Sequence, residues 1–404
     1  QLQRSEAFKG KYKLKEVVIL SRHNIRSPLS TNGSALSKMT PHEWTNWSSA
    51  ASELTLRGGV LETEMGQFFR KWTIETGLFK DNYIPTIDEV NVYANSMQRC
   101  IATAQYFSSG FMPVANLRVN HRYVPSKMDP IFFPRLTKST EAFRTEAMKQ
   151  INAMGGKEGL IGINKGLKES YDLIAKVLDM KQSEYYKKGE IKDFVNNDTQ
   201  ITLELNQEPG MKGSLKNANS ASDAFILQYY EEPDGMKAAF GHKLTTEDWT
   251  KIAKVKDVYG DVLFTAPIVA VNVAHPLLQY MYDELNDKDR KFTFLCGHDS
   301  NIASVALGVE EYSLPNSIEK KTPIGSKLVL EKWVDAAGKA YIAVNLVYQS
   351  TDQLKQMSLL DLQHAPQVFS LKLKGLNQNT DGLYTFEDVN ARFLQAIRAY
   401  DDIK

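Results

Sequence analysis

The segment Lys13–Pro28, KLKEVVILSRHNIRSP, decides how the rest of the chain is read. Its middle, Val17 to Leu20, is an unbroken apolar run rich in β-branched residues. Such a run predicts a strand buried on both faces, as in a parallel sheet covered by helices. The turn-forming residues from Arg22 to Gly33 then read as the loop leaving the strand's carboxyl end, the edge of an open α/β sheet where ligands bind. At that edge His23 stands between Arg22 and Arg26. Two guanidiniums close to one imidazole repel a proton from it, so His23 is expected to be neutral and nucleophilic even in mild acid. The same guanidiniums can hold phosphate oxygens through paired hydrogen bonds.

Working outward, Leu54 to Trp72 predicts a helix, with Val60, Leu61, Met65, Phe68, Phe69 and Trp72 at helical spacing and Thr55 as its cap. Glu89 to Asn95 alternates as a strand, and Ser96 to Phe107 follows as a helix. The pattern returns late in the chain. Lys291 to Cys296 reads as a strand, and Gly297 to Asn301 turns into a helix. Lys327 to Val334, Ala340 to Gln349 and Gln367 to Lys374 read as an antiparallel extension, and Thr385 with Asp388 as a capping box for a last helix, Phe386 to Tyr400. Residues 135–260 differ in texture. They are rich in Lys, Glu, Asn and Ala, helical in patches such as Gly166 to Leu178, with loops expected at Lys187 to Asn197 and Asn206 to Asn219. The expected organisation is an α/β domain formed by residues 1–134 and 261–404, interrupted by a mostly helical domain at 135–260.

Composition narrows the function classes. The 404 residues carry 49 Lys+Arg and 48 Asp+Glu, a net charge of +1, which leaves no electrostatic footprint for nucleic acid. The longest apolar stretch, Val262 to Ala274, is interrupted by Pro267 and Asn272 and is too short to span a bilayer. Two cysteines, Cys100 and Cys296, exclude a disulfide scaffold and a cysteine-rich zinc site. His42, His121, His242, His275 and His364 form no metal-binding spacing and are expected on the surface or in packing. Trp44 and Trp47 follow the His23 segment, and one of them is expected to border the pocket. Gln1 to Lys15 has no signal-peptide pattern, and a removed leader would leave the same sequence.

Two further segments carry chemistry. Gly297-His298-Asp299-Ser300-Asn301 follows a strand and opens a helix; a histidine beside a carboxylate there could bind a metal or supply electrostatic and acid groups. Asn95-Ser96-Met97-Gln98-Arg99 also follows a strand, with Arg99 at the start of a helix. All three segments can sit at one sheet edge. The combined inventory fits phosphoryl transfer through a phosphohistidine. His23 attacks phosphorus, Arg22, Arg26, Arg99 and His298 neutralise the equatorial oxygens, and Asp299 protonates the leaving alkoxide. One ion pair at 4 Å contributes about 4 kcal/mol at an effective dielectric near 20, so several can offset the cost of holding a dianion.

RHNIRSPL at Arg22, NSMQRCIATAQYF at Asn95, MDP at Met128, QEPG at Gln207, LQYYE at Leu227, GHDSNIAS at Gly297 and TPIG at Thr322 occur in that order. In this string the chain resembles the histidine acid phosphatases with an early RHGxRxP motif and a late HD motif, in particular the bacterial periplasmic glucose-1-phosphatases and their phytase relatives. The resemblance runs from about residue 12 to residue 350. It implies a phosphoglycerate-mutase-like α/β domain with a helical lid, His23 as nucleophile, Arg22, Arg26, Arg99 and His298 as phosphate ligands, Asp299 as proton donor, and Glu208 as a pocket residue facing the substrate. It further implies a metal- and cofactor-free acid phosphomonoesterase, monomeric or homodimeric, whose partner is a small phosphomonoester and neither nucleic acid nor membrane, located in the periplasm or secreted. Asn24 replaces the usual glycine of RHGxRxP, as it does in the glucose-1-phosphatases. Leu29, assigned to the substrate pocket, and Ser30 replace the polar, basic pair that many phytases place after the proline, which favours a smaller monoester or restricted attack on phytate. Cys100 stands where relatives often have threonine, and Cys100 and Cys296 are expected as buried free thiols. Three readings follow: a sugar-phosphate phosphatase, a phytase, and a phosphoester-binding protein without turnover. The intact His23, His298 and Asp299 argue against the last.

Overall fold

The computed structural model describes residues 2–29, 34–305 and 307–404; Ser30 lies outside them. An eight-stranded mixed sheet forms the centre. Its strands are β1 (Tyr12–Arg22), β2 (Val90–Ala94), β3 (Val119–Asn120), β4 (Phe292–Gly297), β5 (Lys327–Asp335), β6 (Ala340–Tyr348), β7 (Gln367–Ser370) and β8 (Tyr384–Thr385). The order is β8–β6–β5–β1–β4–β2–β3, with β7 also paired to β6. β1, β4, β2 and β3 are parallel neighbours, whereas β5 to β8 extend the sheet in antiparallel pairs. β3 and β8 have two residues each, too few for a sequence period to register.

Val17, Val18, Ile19 and Leu20 are all fully buried. Val17 and Ile19 pack with Phe69, Phe107, Phe292 and Phe294 on one face; Val18 and Leu20 pack with Leu278, Met281, Leu295 and Phe393 on the other. Helices Leu56–Glu75 and Gln98–Phe111 cover the first face, and Pro267–Leu285 and Phe386–Asp401 the second. This two-sided covering is why the strand is a continuous apolar run. Thr55 caps its helix as expected, its Oγ1 accepting from the Gly58 N–H at 3.1 Å. Thr385 accepts from the Asp388 N–H at 3.1 Å, one half of the expected box.

The two helices on the first face cross through reciprocal glycines. A Cβ on Gly66 would collide with the Phe107 carbonyl oxygen, and one on Gly110 with the Thr63 carbonyl oxygen. Gly66→Ala or Gly110→Ala is therefore expected to cost about 1–3 kcal/mol, because the backbones must separate. The readout is the midpoint of thermal or urea unfolding, and an unchanged midpoint would show that the crossing relaxes freely.

Most of the chain between β3 and β4 is helical. The patch expected at Gly166 to Leu178 is the helix Lys168–Val177. The loop expected at Asn206 to Asn219 is corrected: Gly210–Lys212 pairs with Gln200–Thr202, and the helix Ser214–Glu231 already begins at Ser214. In the helix's first turns Ser214, Ala218 and Ala221 are buried with Leu215 as the one large apolar side chain, so the apolar period is weak there. The boundary read at 260/261 falls inside one continuous helix, Thr246–Phe264. The apolar stretch Val262 to Ala274 is shared between this helix and Pro267–Leu285, which bend by 82° relative to each other; among the described residues no single helix is long and apolar enough to cross a membrane. Pro276 inside the second helix cannot donate to the Asn272 carbonyl. The Nδ1 of His275 donates there instead, at 2.8 Å, with its ring stacked on Tyr400.

Candidate active site

The three parallel strands β1, β4 and β2 end at one level. Arg22 is opposite Gly297, and Ala94 opposite Cys296. Backbone bonds continue past the strands, from His23 N to Gly297 O at 3.0 Å and from Asn95 N to Cys296 O at 2.9 Å. The three segments singled out in the sequence are thereby brought together. From the other side of β1, the Gly325 N–H donates to His23 O at 3.1 Å, which adds the Thr322-Pro323-Ile324-Gly325 turn.

His23 is buried, and its Nδ1 lies 2.8 Å from the Asn24 carbonyl oxygen. A carbonyl only accepts, so the ring proton is assigned to Nδ1 and the lone pair to Nε2. Burial, then Arg99, Arg26 and Arg22, hold the imidazole well below its usual range, so the ring is neutral in mild acid. Arg22 donates to Glu319 Oε2 at 3.0 Å and to the Thr322 carbonyl at 2.6 Å. Arg26 donates to Asp223 at 3.2 Å. Burial and the neighbouring Arg26 lower the Arg99 guanidinium below its usual range. The Nε atoms of Arg22, Arg26 and Arg99 are all buried with no hydrogen-bond partner among the described residues.

The ring of His298 stands 5.7 Å from that of His23, centroid to centroid. Its orientation is set by Asn95. Asn95 Oδ1 accepts from the backbone N–H groups of Ser96 and Asp129, each at 2.9 Å, so its Nδ2 must be the atom 2.8 Å from His298 Nε2. Nε2 accepts, and Nδ1 carries the proton available to a ligand. Asp299 follows, with 40% of its side chain accessible on the cavity wall. Burial opposes its charge, but Arg22, Lys256, His298 and Arg26 outweigh it and hold the carboxyl well below the usual range. The net direction is thus downward for the unliganded protein.

A cavity of about 990 Å³ is lined among others by His23, Arg26, Arg99, Glu208, His298 and Asp299; Arg22, also expected as a phosphate ligand, is buried behind this wall and does not line it. Glu208 and Leu29 both line it, Leu29 at its mouth with 60% exposure. The tryptophan expectation is corrected, because neither Trp44 nor Trp47 reaches the cavity. The Trp44 ring packs against Phe225 and Phe240, which fill the helical core. His42 and His242 both bond Asp179 instead. Cys100 and Cys296 are free and buried, with Cys100 Sγ 3.9 Å from His298 Nε2. Among the described residues no group of three or more His, Cys, Asp or Glu side chains is arranged to hold a metal ion.

Sequence reading missed the charged frame behind the arginines. Lys256 donates to Glu319 at 2.8 Å and lies 3.8 Å from both Asp223 and Asp299. Burial pushes the Glu319 carboxyl up, but Lys256 and Arg22 bring it down to about 2, so its pairing survives acidification until pH approaches that value. The signal for Lys256 was present: it occupies the apolar stripe of its helix, four residues after Ile252 and seven after Trp249. Lys216, Asn219, Ser220 and Asp223, spaced as one helix face, likewise turn toward the cavity.

The family model of the histidine phosphatase superfamily (branch 2) matches residues 13–350. A glucose-1-phosphatase of Providencia rettgeri is 37% identical over 392 residues, covering 95% of this chain and 92% of the relative. One of Salmonella typhimurium is 39% identical over 378 residues, covering 92% and 89%. Among solved structures, the apo form of Hafnia alvei phytase superposes with a TM-score of 0.87 at 28% identity, covering 96% of this chain and 98% of that one. The strand-end histidines and arginines, the mixed sheet and these matches lead to one conclusion: the chain belongs to branch 2 of the histidine phosphatase superfamily and is a phosphatase of small phosphate esters.

Proposed function

We propose that the chain is a metal-independent acid phosphomonoesterase that hydrolyses glucose 1-phosphate or similar sugar phosphates through a phosphohistidine. His23 Nε2 bonds to phosphorus as the ester P–O bond breaks. Arg22, Arg26, Arg99 and His298 take the equatorial oxygens, and Asp299 gives a proton to the departing oxygen. Water, giving a proton to the Asp299 carboxylate, then cleaves the P–N bond and returns His23 as the neutral ring. The observation that carries this reading is a neutral His23 on one cavity wall with Arg26, Arg99, His298 and Asp299. Residues 135–260 are proposed as a lid, because Glu208, Asp223 and Lys256 reach the cavity from that segment.

The sugar-phosphate preference has its own support. Beyond the phosphate end the wall offers Glu208, Asn219, Ser220 and Tyr259. Lys256 and Lys321 also line the cavity but are paired with Glu319 and Glu311, whereas Lys216 and Lys374 on the same wall have no carboxylate partner among the described residues. Hydroxyl groups suit Glu208, Asn219 and Ser220, while the two unpaired lysines are what a further phosphate would use. The second reading, an inositol polyphosphatase, is favoured by the structural likeness to Hafnia alvei phytase and by the cavity's size. A steady-state comparison of glucose 1-phosphate, inositol hexakisphosphate and p-nitrophenyl phosphate, each with and without EDTA, separates the two. The expected kcat/KM for glucose 1-phosphate exceeds that for the hexakisphosphate by about tenfold or more, a difference of about 1.4 kcal/mol, with no effect of EDTA. The reverse order would install the second reading, and loss of turnover with EDTA, restored by metal, would end the metal-free mechanism.

A further inference from the structure

Asn24 stands where the RHGxRxP pattern has glycine, so a side chain has to be accommodated beneath the His23 ring. It is fully buried, and each of its polar groups is engaged. Nδ2 donates to Glu62 Oε1 at 3.1 Å, and Oδ1 accepts from the Ile25 N–H at 2.9 Å. The backbone N–H donates to Thr103 Oγ1 at 3.1 Å, and that hydroxyl donates to the Arg99 carbonyl at 2.7 Å. The backbone carbonyl is the acceptor for His23 Nδ1.

The anchor itself is an ion pair without solvent contact. Glu62 Oε2 and Lys327 Nζ are 2.8 Å apart, and both side chains have zero exposure. Lys327 also donates to Ser21 Oγ at 2.7 Å and to the Gly325 carbonyl at 3.1 Å. Gly325, at φ +70°, leaves the room that Asn24 fills: a Cβ there would lie 2.8 Å from Asn24 Nδ2. A buried pair of this kind contributes little net stability, since desolvation offsets the attraction, but it fixes geometry when every hydrogen bond is made.

We propose that the Asn24 side chain, held by the Glu62–Lys327 pair, is a positioning group that fixes the carbonyl keeping the His23 ring in one orientation as its Nδ1–H tautomer. The inference rests on the reading of His23 as nucleophile. Asn24 touches neither substrate nor the reacting atoms; it acts by holding the carbonyl to which the ring is tethered. Without its side chain the ring keeps its pocket but loses a single orientation, and misplacement of an attacking atom costs rate with little loss of binding.

The test is pre-steady-state hydrolysis of p-nitrophenyl phosphate by Asn24→Gly, with Asn24→Ser as the alternative if the glycine variant does not fold. Phosphoenzyme formation is expected to slow by roughly ten- to hundredfold, while the inhibition constant of inorganic phosphate stays within about twofold, because the arginines are untouched. A normal burst rate in a folded variant, even one with a lowered unfolding midpoint, would mean that Asn24 only packs and would overturn the proposal. So would a parallel loss of phosphate affinity. Nitrogen-15 NMR of the wild-type histidines is independent of any variant: the proton of His23 is expected on Nδ1, and a His23 ring protonated on Nε2 refutes the tether. If His23→Ala still forms phosphoenzyme, the reading of the nucleophile fails instead, and the two failures are distinct.

Discussion

His23→Ala is expected to abolish the phosphoenzyme and to lower turnover of p-nitrophenyl phosphate on the order of 10⁴-fold or more, since removing a nucleophile removes the covalent route itself. Nucleophilicity here is a product of the surroundings. Burial and three guanidiniums keep the ring uncharged at pH values where a free imidazole would be protonated. The Asn24 carbonyl occupies Nδ1, so Nε2 is the nitrogen left to bond phosphorus. The arginines come from other positions and keep other partners (Arg22 on Glu319 and Thr322, Arg26 on Asp223), so the variant should still bind inorganic phosphate. That separates loss of chemistry from loss of the site. The measurement is rapid quench with a labelled phosphomonoester in alkali, where a phosphohistidine survives. Labelled phosphate retained on His23→Ala would place the nucleophile elsewhere, and loss of phosphate binding would show that the substitution dismantled the anion site.

How much of this was legible without coordinates depends on how local each signal is. His23, His298 and Arg99 each sit just past the end of a strand, and a strand end is marked by a few adjacent residues. Their convergence followed from a topological rule, and the register of β1, β4 and β2 realises it. Lys256, Asp223 and Glu319 come from two helices and a loop, and nothing in their neighbours announces a shared partner. Only Lys256 broke a pattern, as a cation in the apolar stripe of Thr246–Phe264. The loop expected at Asn206 to Asn219 failed for a related reason, because the helix's first turns bury Ser214, Ala218 and Ala221 around Leu215 and leave little apolar contrast to read. Trp44 lies near His23 in sequence, but the aromatic core formed with Phe225 and Phe240 takes its ring away from the cavity.

Asp299→Asn should divide substrates by leaving group. For an alkyl or sugar phosphate, whose departing alkoxide needs a proton, kcat is expected to fall by about 10²–10⁴-fold; nitrophenolate leaves without that help, so its loss should be far smaller. The electrostatics set where the proton comes from. In the unliganded protein Asp299 is held ionised by Arg22, Lys256, His298 and Arg26 against the pull of burial. Lowering the pH within the mildly acid range therefore does not protonate it before substrate arrives. A phosphomonoester, with a second pKa near 6, carries one proton below that value and two negative charges above it. A bound dianion opposes the Asp299 charge and raises its proton affinity. Binding of the monoanion can thus deliver both the ester and the proton to the site, with the proton passing to Asp299 as the arginines take the oxygens. His23 stays neutral throughout this range because its pKa is lowered, so the acid side of the profile is not lost to a protonated nucleophile. In the wild type, kcat/KM for sugar phosphates is expected to decline as pH rises through about 6, following loss of the monoanion. In Asp299→Asn the burst with p-nitrophenyl phosphate should persist while alkyl ester turnover nearly disappears. Equal losses for both classes of leaving group would remove Asp299 from the role of acid and leave it as a charge that orders the arginines and Lys256.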